Sequence, residues 1–153
     1  MQIYRIADAR HPIWDGTGAM LMGGRWNSPG KPVIYGSLSF AGAMLEVLVH
    51  ARIGKVPRTH ACVSVEVPAE VSVERLSPEM HLAGWDAEQA TVARQIGNRW
   101  IDEQRSAILL VRSVVAREEW NAIVNPRHPD ALKLVPSAPA PVQWDERLFS
   151  GRG

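Results

Sequence analysis

The sequence has very little cysteine and no long apolar run. Its one cysteine, Cys62, cannot form an internal disulfide, so folding does not depend on an oxidising compartment. Cys62 alternates with apolar residues of a predicted strand, which favours a structural thiol over a nucleophile. No stretch reaches the ~18 apolar residues of a membrane span, and no basic segment followed by an apolar one opens the chain. These absences predict a cytoplasmic protein with no membrane partner.

The chain also has little net charge. Its 17 basic and 16 acidic residues are interleaved and give a formal net charge of +1. Proteins that bind nucleic acid with their own surface usually concentrate basic residues on one face. We therefore expect no direct contact with nucleic acid, while a small basic pocket is compatible with the composition.

Sequence motifs for metal and nucleotide chemistry are missing as well. The five histidines are scattered, and there is neither an HExxH motif nor a pair of cysteines, so no metal site is predicted. A P-loop, a Rossmann glycine fingerprint and a GxSxG nucleophile elbow are all absent. These absences remove several large classes of enzyme.

The hydrophobic pattern predicts one α+β domain over residues 1–149, followed by a disordered tail over residues 150–153. We expect short, mostly antiparallel strands at residues 2–7, 31–36, 61–67, 71–76, 107–111, 122–124 and 132–135. The two principal helices are predicted at residues 39–54 and 86–104. Residues 8–22 lack a sustained period and are predicted to be a loop. The lack of regular βαβ alternation argues against a doubly wound sheet.

The first predicted helix is apolar on almost every side, and one carboxylate interrupts it. Only a narrow strip is polar or small, and it holds Ser39, Gly42, Glu46 and His50. A helix that is apolar nearly all round is predicted to be buried. Glu46 then needs either an arginine partner or a function, because an unpaired buried charge is costly.

A glycine-opened turn precedes this helix and carries an arginine. The Gly23–Gly24 pair permits backbone angles closed to other residues and lets a ligand approach the chain. Arg25 either clamps a phosphate or carboxylate with two hydrogen bonds or pairs with Glu46. Tyr35 either fills the core or stacks on a planar base, and Trp26 is either a core filler or a pocket wall. Together these residues indicate a small site for an anionic ligand.

Two polar residues late in the chain are further candidates. Ser113 follows a predicted buried strand, and no general base lies beside it in sequence. Because a serine nucleophile needs activation, a hydrogen-bonding role is favoured for Ser113. Asn125 precedes Pro126 and has the form of turn chemistry.

Motifs along the whole chain, in order, resemble the RES domain family. They are Tyr4-Arg5, Gly24-Arg25-Trp26-Asn27, the segments 33–37 and 43–50, Ser113, the segment 125–129 and the segment 144–149. The family takes its name from an arginine, a glutamate and a serine, which correspond here to Arg25, Glu46 and Ser113. One departure is Arg112, where the family pattern leads us to expect proline.

This resemblance implies a fold similar to that of ADP-ribosyltransferases of the diphtheria-toxin type. RES proteins are the toxins of bacterial type II toxin–antitoxin pairs, and a partner with an Xre-like helix-turn-helix domain neutralises each one. They degrade NAD+ by hydrolysis or phosphorolysis of the nicotinamide–ribose bond, which arrests growth. The resemblance therefore implies that NAD+ is a substrate rather than a cofactor, that the antitoxin covers the active site, and that DNA contact comes only through the antitoxin.

The same resemblance implies roles for seven residues. The catalytic ones would be Glu46, Arg25 and Ser113, and the substrate-binding ones Arg5, Tyr35, Asn125 and Trp26. Glu46 would stabilise the positive charge that develops on the ribose as the bond breaks. The pyrophosphate would be held by Arg25 and Arg5, the nicotinamide or ribose by Tyr35, and the ribose or carboxamide by Ser113 and Asn125.

Two other functions stay open at this point. Some RES proteins transfer ADP-ribose to a cellular protein, so a mono-ADP-ribosyltransferase is the first alternative. A non-catalytic module whose pocket binds a nucleotide is the second.

Overall fold

Seven short strands form one mixed sheet in the part of the chain that the structure describes. The computed structural model describes residues 1–50 and 55–150, so residues 151–153 of the predicted tail lie outside it. The strands are β1 (Gln2–Asp8), β2 (Ile34–Ser37), β3 (His60–Glu66), β4 (Val73–Arg75), β5 (Ile108–Arg112), β6 (Trp120–Val124) and β7 (Ala140–Pro141). Their order is β4-β5-β6-β2-β1-β3-β7, and every neighbouring pair is antiparallel except β4 with β5. The predicted α+β domain with mostly antiparallel strands is confirmed.

The sheet buries apolar side chains on both faces. In β5, Ile108 and Leu110 belong to one apolar cluster, whereas Leu109 and Val111 belong to the other. This division follows from the strand geometry, because successive side chains point to opposite faces. The buried apolar run of β5 thus joins the two halves of the core.

Three α-helices lie in the described residues: α1 (Thr17–Met22), α2 (Phe40–His50) and α3 (Thr91–Glu103). Helix α1 lies in the segment predicted to be a loop, so that prediction is wrong there. The helix is short and buries no side chain, so the sequence shows no apolar stripe from which to predict it. The side-chain amide of Asn27 donates to the carbonyl oxygen of Ala19 at 2.9 Å and ties α1 to the following turn.

Helix α3 begins at Thr91 rather than at Asp86, five residues later than predicted. Arg25 Nη1 donates to the carbonyl oxygen of Ala87 at 2.8 Å, and Asp86 forms an ion pair with Arg117. These contacts hold the residues before Thr91 in a turn of their own. That turn faces the glycine-opened turn over residues 23–27, which is called the Arg25 turn below. The turn before Thr91 therefore replaces the first predicted turn of the helix.

Helix α2 is half-buried rather than buried on nearly all sides, which corrects the prediction. Gly42 and Ala43 are buried, but Phe40, Leu45 and Val49 are 42%, 41% and 53% exposed. Among the described elements the helix packs mainly on β1 and β2, so its outer side faces solvent. The predicted end of this helix lies outside the described residues.

The predicted strand over residues 132–135 is wrong. A 3-10 helix spans Pro129–Lys133, and His128 Nδ1 accepts a hydrogen bond from the amide of Asp130 at 3.1 Å to cap it. Leu132, which was predicted to begin that strand, is 88% exposed. Farther on, β7 pairs with β3 in a segment where no strand was predicted.

A close approach between α3 and the Arg25 turn fixes the position of that turn. A Cβ atom on Gly97 would lie 1.7 Å from the carbonyl oxygen of Trp26, so only glycine fits there. Arg94 Nε donates to the carbonyl oxygen of Gly24 at 3.0 Å. Helix α3 thereby holds the segment that carries Arg25.

Candidate active site

A cavity of about 480 Å³ lies between helix α2 and the Arg25 turn. Five of the seven residues singled out in the sequence line it: Arg5, Arg25, Trp26, Tyr35 and Glu46. Among the lining residues that the sequence did not mark as site residues are Ser37, His50 and Asn121. The fold therefore assembles the first strand, the turn, the helix and β6 into one site.

Both oxygens of Glu46 have partners at the cavity wall. Oε1 accepts hydrogen bonds from Ser113 Oγ and Asn121 Nδ2, each at 2.9 Å. Oε2 lies 3.2 Å from His50 Nε2, one helical turn later in α2. The sequence left open an arginine partner or a function for Glu46, and among the described residues its ion pair is with His50 and not with an arginine.

These partners keep Glu46 ionised at neutral pH. Burial alone would raise the pKa of the Glu46 carboxyl, but hydrogen bonds from His50, Asn121 and Ser113 outweigh burial and hold the pKa below its usual value. The hydrogen bond to Glu46 also raises the pKa of the His50 imidazole. The site therefore presents a fixed negative charge to the cavity.

Asn121 is the site residue that sequence reasoning missed. Residues Ser37 and Asn121 face each other across the β2–β6 pair, and Ser37 Oγ donates to Asn121 Oδ1 at 3.1 Å. That bond orients the amide so that its Nδ2 points at Glu46. The signal in the sequence was a polar residue two positions before the buried Ile123, and hence on the same face of an apolar strand.

Ser113 supports Glu46 from behind the cavity wall. Its side chain is buried, and its hydroxyl accepts hydrogen bonds from the amides of Val115 and Ala116 at 3.1 Å and 3.0 Å. The same hydroxyl donates to Glu46, so its hydrogen and its lone pairs are all used. This arrangement suits a residue that positions Glu46 rather than a nucleophile, because the lone pairs of the hydroxyl are already bound to backbone amides.

Arg112, where the family pattern suggested proline, has a backbone role that proline cannot fill. Its amide donates to His81 Nε2 at 3.2 Å. Its guanidinium lies 4.0 Å from the ring centroid of Trp120 and donates to the carbonyl oxygen of Glu118 at 2.9 Å. Arg112 also lines the cavity, so the departure adds a positive charge to the site and leaves Ser113 in place.

Arg25 does not pair with Glu46. Its Nη1 donates to the carbonyl oxygens of Trp85 and Ala87 at 3.2 Å and 2.8 Å. These bonds fix the guanidinium at the cavity wall through one of its nitrogens. Because the guanidinium carries five N–H groups, donors stay available for an anion.

Tyr35 holds the Arg25 turn through its hydroxyl. The hydroxyl donates to Asn27 Oδ1 at 2.5 Å and accepts from the amide of Trp26 at 3.0 Å. A Cβ atom on Gly24 would lie 2.6 Å from that hydroxyl oxygen, so the ring packs directly on the glycine backbone. Burial raises the pKa of the Tyr35 hydroxyl, which stays protonated. The ring lines the cavity, while the hydroxyl is already used by the turn.

Arg5 and Trp26 also line the cavity, and neighbours fix both. Arg5 Nε donates to the carbonyl oxygen of Ile13 at 2.6 Å, and Nη1 donates to that of Tyr35 at 2.9 Å. Trp26 is 3% exposed and stacks on Trp85 with ring centroids 6.1 Å apart. The sequence left open whether Trp26 fills the core or forms a wall of the pocket, and in the structure it does both.

Asn125 lies outside this site. It follows β6 and is buried, and its Oδ1 accepts a hydrogen bond from the amide of Arg127 at 3.0 Å. Its amide donates to the carbonyl oxygen of Ala107 at 2.9 Å. The side chain thus serves the turn that its neighbour Pro126 suggested, and Asn121 occupies the place beside Glu46.

No group of three or more His, Cys, Asp or Glu side chains lies together in the described residues in a way that could hold a metal ion. No described helix is long and apolar enough to cross a membrane.

With the site in view, comparison with known proteins assigns the family. The family model described as the RES domain matches residues 2–145. The chain belongs to the RES domain family.

Several named toxins are similar to this chain. A protein of Sphingobium sp. (strain YBL2) named Prs ADP-ribosylating toxin is 45% identical over 135 residues, which are 84% of each chain. Toxin Res of Pseudomonas putida is 41% identical over 118 residues, covering 76% of this chain and 79% of that one. Toxin Res of Yersinia enterocolitica is 32% identical over 152 residues, covering 97% and 99%.

A solved structure shares the fold. The crystal structure of the M. tuberculosis MbcT-MbcA toxin-antitoxin complex contains a chain that matches with a TM-score of 0.77. The match covers 97% of this chain and 86% of that one, at 19% sequence identity. At this identity the likeness supports the fold alone.

Proposed function

We propose that this chain is the toxin of a toxin–antitoxin pair and that it breaks the nicotinamide–ribose bond of NAD+. The observation that carries the proposal is the ionised carboxylate of Glu46, held by two hydrogen bonds at the wall of a cavity. Arg5, Arg25 and Arg112 line the same cavity and match a negatively charged pyrophosphate. The names of the similar proteins support the toxin part of this proposal.

The chemistry needs one carboxylate rather than two. Breaking an N-glycosidic bond leaves positive charge on the ribose, which a nearby carboxylate stabilises. Nicotinamide is cationic in NAD+ and leaves as a neutral molecule with the bonding electron pair, so no strong general acid is required. Glu46 supplies the negative charge, while Ser113 and Asn121 keep it in place and ionised. Water or phosphate then forms the new bond to the ribose carbon.

Chromatography of the reaction products, with and without phosphate, tests the proposal. The purified protein, freed of its antitoxin, should consume NAD+ and release nicotinamide. Free ADP-ribose as the second product would indicate hydrolysis, and a phosphorylated ADP-ribose formed only with phosphate would indicate phosphorolysis. Unchanged NAD+ under both conditions would contradict the proposal.

Expression in a bacterial host separates this enzyme from a non-catalytic nucleotide-binding module. An NAD+-consuming toxin should arrest growth, and Glu46→Ala should relieve the arrest. A wild-type chain that the host tolerates would favour the module.

Transfer of ADP-ribose to a protein is a second candidate, and the name of the Sphingobium relative is the observation that favours it. Both reactions break the same bond and differ in the acceptor. Incubation of labelled NAD+ with cell lysate distinguishes them. A labelled protein band would support transfer, whereas label in small products would support NAD+ degradation.

We infer that a helix-turn-helix antitoxin of the Xre-like type covers the cavity. Val49 lines the cavity and is also 53% exposed, so the apolar outer side of α2 continues into the mouth of the site. Co-expression with the antitoxin should relieve growth arrest. Leu45→Asp on this outer side should restore the arrest, and Leu132→Asp, the same change at an exposed leucine on another surface, should not. Operator DNA should bind the complex and not this chain alone.

A further inference from the structure

The two oxygens of Glu46 are held in different ways. Oε1 accepts from Ser113 and Asn121, whose side chains are fixed by further hydrogen bonds at 3.0 Å and 3.1 Å to the backbone and to Ser37. Oε2 has one described partner, His50. That histidine side chain is 75% exposed, compared with 25% for Glu46. One oxygen is therefore anchored from within the fold, and the other is held only by a solvent-facing residue.

We infer that Oε2 of Glu46 is the oxygen that binds the substrate. The N–H group of His50 occupies the substrate's position at this oxygen until the substrate arrives. This inference rests on the proposed NAD+ reaction and adds a residue that sets how tightly the substrate binds. A ribose hydroxyl is an O–H donor, so it can replace the His50 N–H at Oε2 without leaving the carboxylate short of a hydrogen bond. His50 acts through Glu46 and is a positioning residue rather than a catalytic one.

The exchange is feasible because the interaction between Glu46 and His50 is weak. The pair joins residues one helical turn apart at a partly exposed position, where ion pairs are weak. Removing a hydrogen bond from Ser113 or Asn121 would instead leave a buried group unpaired, which costs more. The exchange therefore takes place at Oε2.

The charge of His50 makes the exchange depend on pH. Among the described residues, the charged groups that act on His50 are Glu46 on its own helix and Arg25 across the cavity. The hydrogen bond and charge of Glu46 favour the imidazolium, and Arg25 opposes it. An imidazolium competes with the substrate for Oε2 more strongly than a neutral imidazole does. The KM for NAD+ is therefore expected to rise as the pH falls through the raised pKa of His50.

Steady-state kinetics of His50→Ala tests the exchange. At pH 6 the variant should show a KM for NAD+ about two- to fivefold below that of the wild type, the range of a partly exposed ion pair. The two KM values should converge as the pH rises above the raised pKa of His50, since the wild-type imidazole is then neutral. His11→Ala serves as the matched control, because His11 is exposed and does not line the cavity. A fall in kcat at unchanged KM, or an unchanged pH profile, would overturn the inference.

Titration of the histidine rings by NMR tests the exchange without any turnover. Saturating ADP-ribose, which keeps the ribose hydroxyls, should lower the pKa of His50 toward its ordinary value. Glu46→Gln should lower it in the absence of ligand. Binding of ADP-ribose with an unchanged His50 pKa would overturn this inference alone. Failure of ADP-ribose to bind at all would count against the proposed function and against this inference with it.

Discussion

Ser113 Oγ donates a hydrogen bond to Glu46 Oε1 at 2.9 Å, across 67 positions of sequence. The two residues come from the end of β5 and the middle of α2, and the order of the strands brings them together. The serine hydroxyl also accepts two backbone amides. The contact therefore couples the local turn after β5 to the carboxylate in the cavity.

Ser113→Ala should lower both activity and stability. Loss of the hydroxyl removes one of the two donors that position Oε1, and a displaced catalytic group lowers kcat by up to about 100-fold. The amides of Val115 and Ala116 lose their acceptor, which should lower the free energy of unfolding by about 1–3 kcal/mol. Kinetics and urea unfolding measure the two effects. An unchanged kcat in the folded variant would show that Ser113 serves the turn alone.

Asn121 and Asn125 form a matched pair, four positions apart on the same strand and its following turn. Asn121→Ala should lower kcat, because it removes the second donor to Glu46 Oε1. Asn125→Ala should lower the melting temperature, because the side chain of Asn125 bonds only to the backbone of its own turn among the described contacts. Steady-state rates and thermal melts of both variants distinguish the two. A larger loss of kcat in Asn125→Ala would reverse the assignment.

Substitution by alanine is expected to have opposite effects on stability at Gly97 and at Gly18. Gly97→Ala should destabilise the protein by about 3 kcal/mol or more, because the new methyl group would overlap the carbonyl oxygen of Trp26. Gly18 lies in α1 with nothing within 4 Å of its Cβ position. Gly18→Ala should therefore stabilise the protein by about 0.5–1 kcal/mol through helix propensity. Denaturant unfolding checks both, and equal effects would contradict the close approach of α3.

Asp130 gives a pH dependence of stability. The amide of Ser72 donates to Asp130 Oδ2 at 2.9 Å, and this bond, together with the side chains of Ser72 and Lys133, lowers the pKa of Asp130 to about 2. Because the folded pKa is below the unfolded value, the contribution is complete above pH ~4 and is lost as the pH falls toward 2. Asp130→Asn should therefore lower the urea midpoint of unfolding at pH 6 and have little effect on it at pH 2. An equal deficit at both values would mean that the charge is not involved.

The sequence predicted those parts of the fold that depend on local pattern. The alternating residues of β3 and the apolar run of β5 identified strands correctly, because side-chain period follows backbone geometry. The segment 132–135 imitated this alternation within a 3-10 helix, and the prediction failed there. The extent of burial of α2 was also not predictable, since composition does not show how many layers pack on a helix.

The candidate site was predictable as far as its separate residues are unusual. Glu46 stood out because it is a lone carboxylate in an apolar helix. The partners of Glu46 did not stand out, because Ser113 and Asn121 reach Glu46 only through the order of the strands. The register of β2 with β6 decides that Asn121, rather than Asn125, faces Glu46. Tyr35 was expected to stack on the nicotinamide or to bind the ribose. Its ring lines the cavity, while its hydroxyl is already bonded to Asn27 and to the amide of Trp26.

The release of nicotinamide from NAD+ by the wild type and by Glu46→Gln is the most direct test of the proposed chemistry. Glutamine keeps the shape of the side chain and removes its charge. The wild type is expected to release nicotinamide, and Glu46→Gln is expected to do so at least about 100-fold more slowly while melting as a folded protein. Equal rates in the two proteins would contradict the central role of the Glu46 carboxylate.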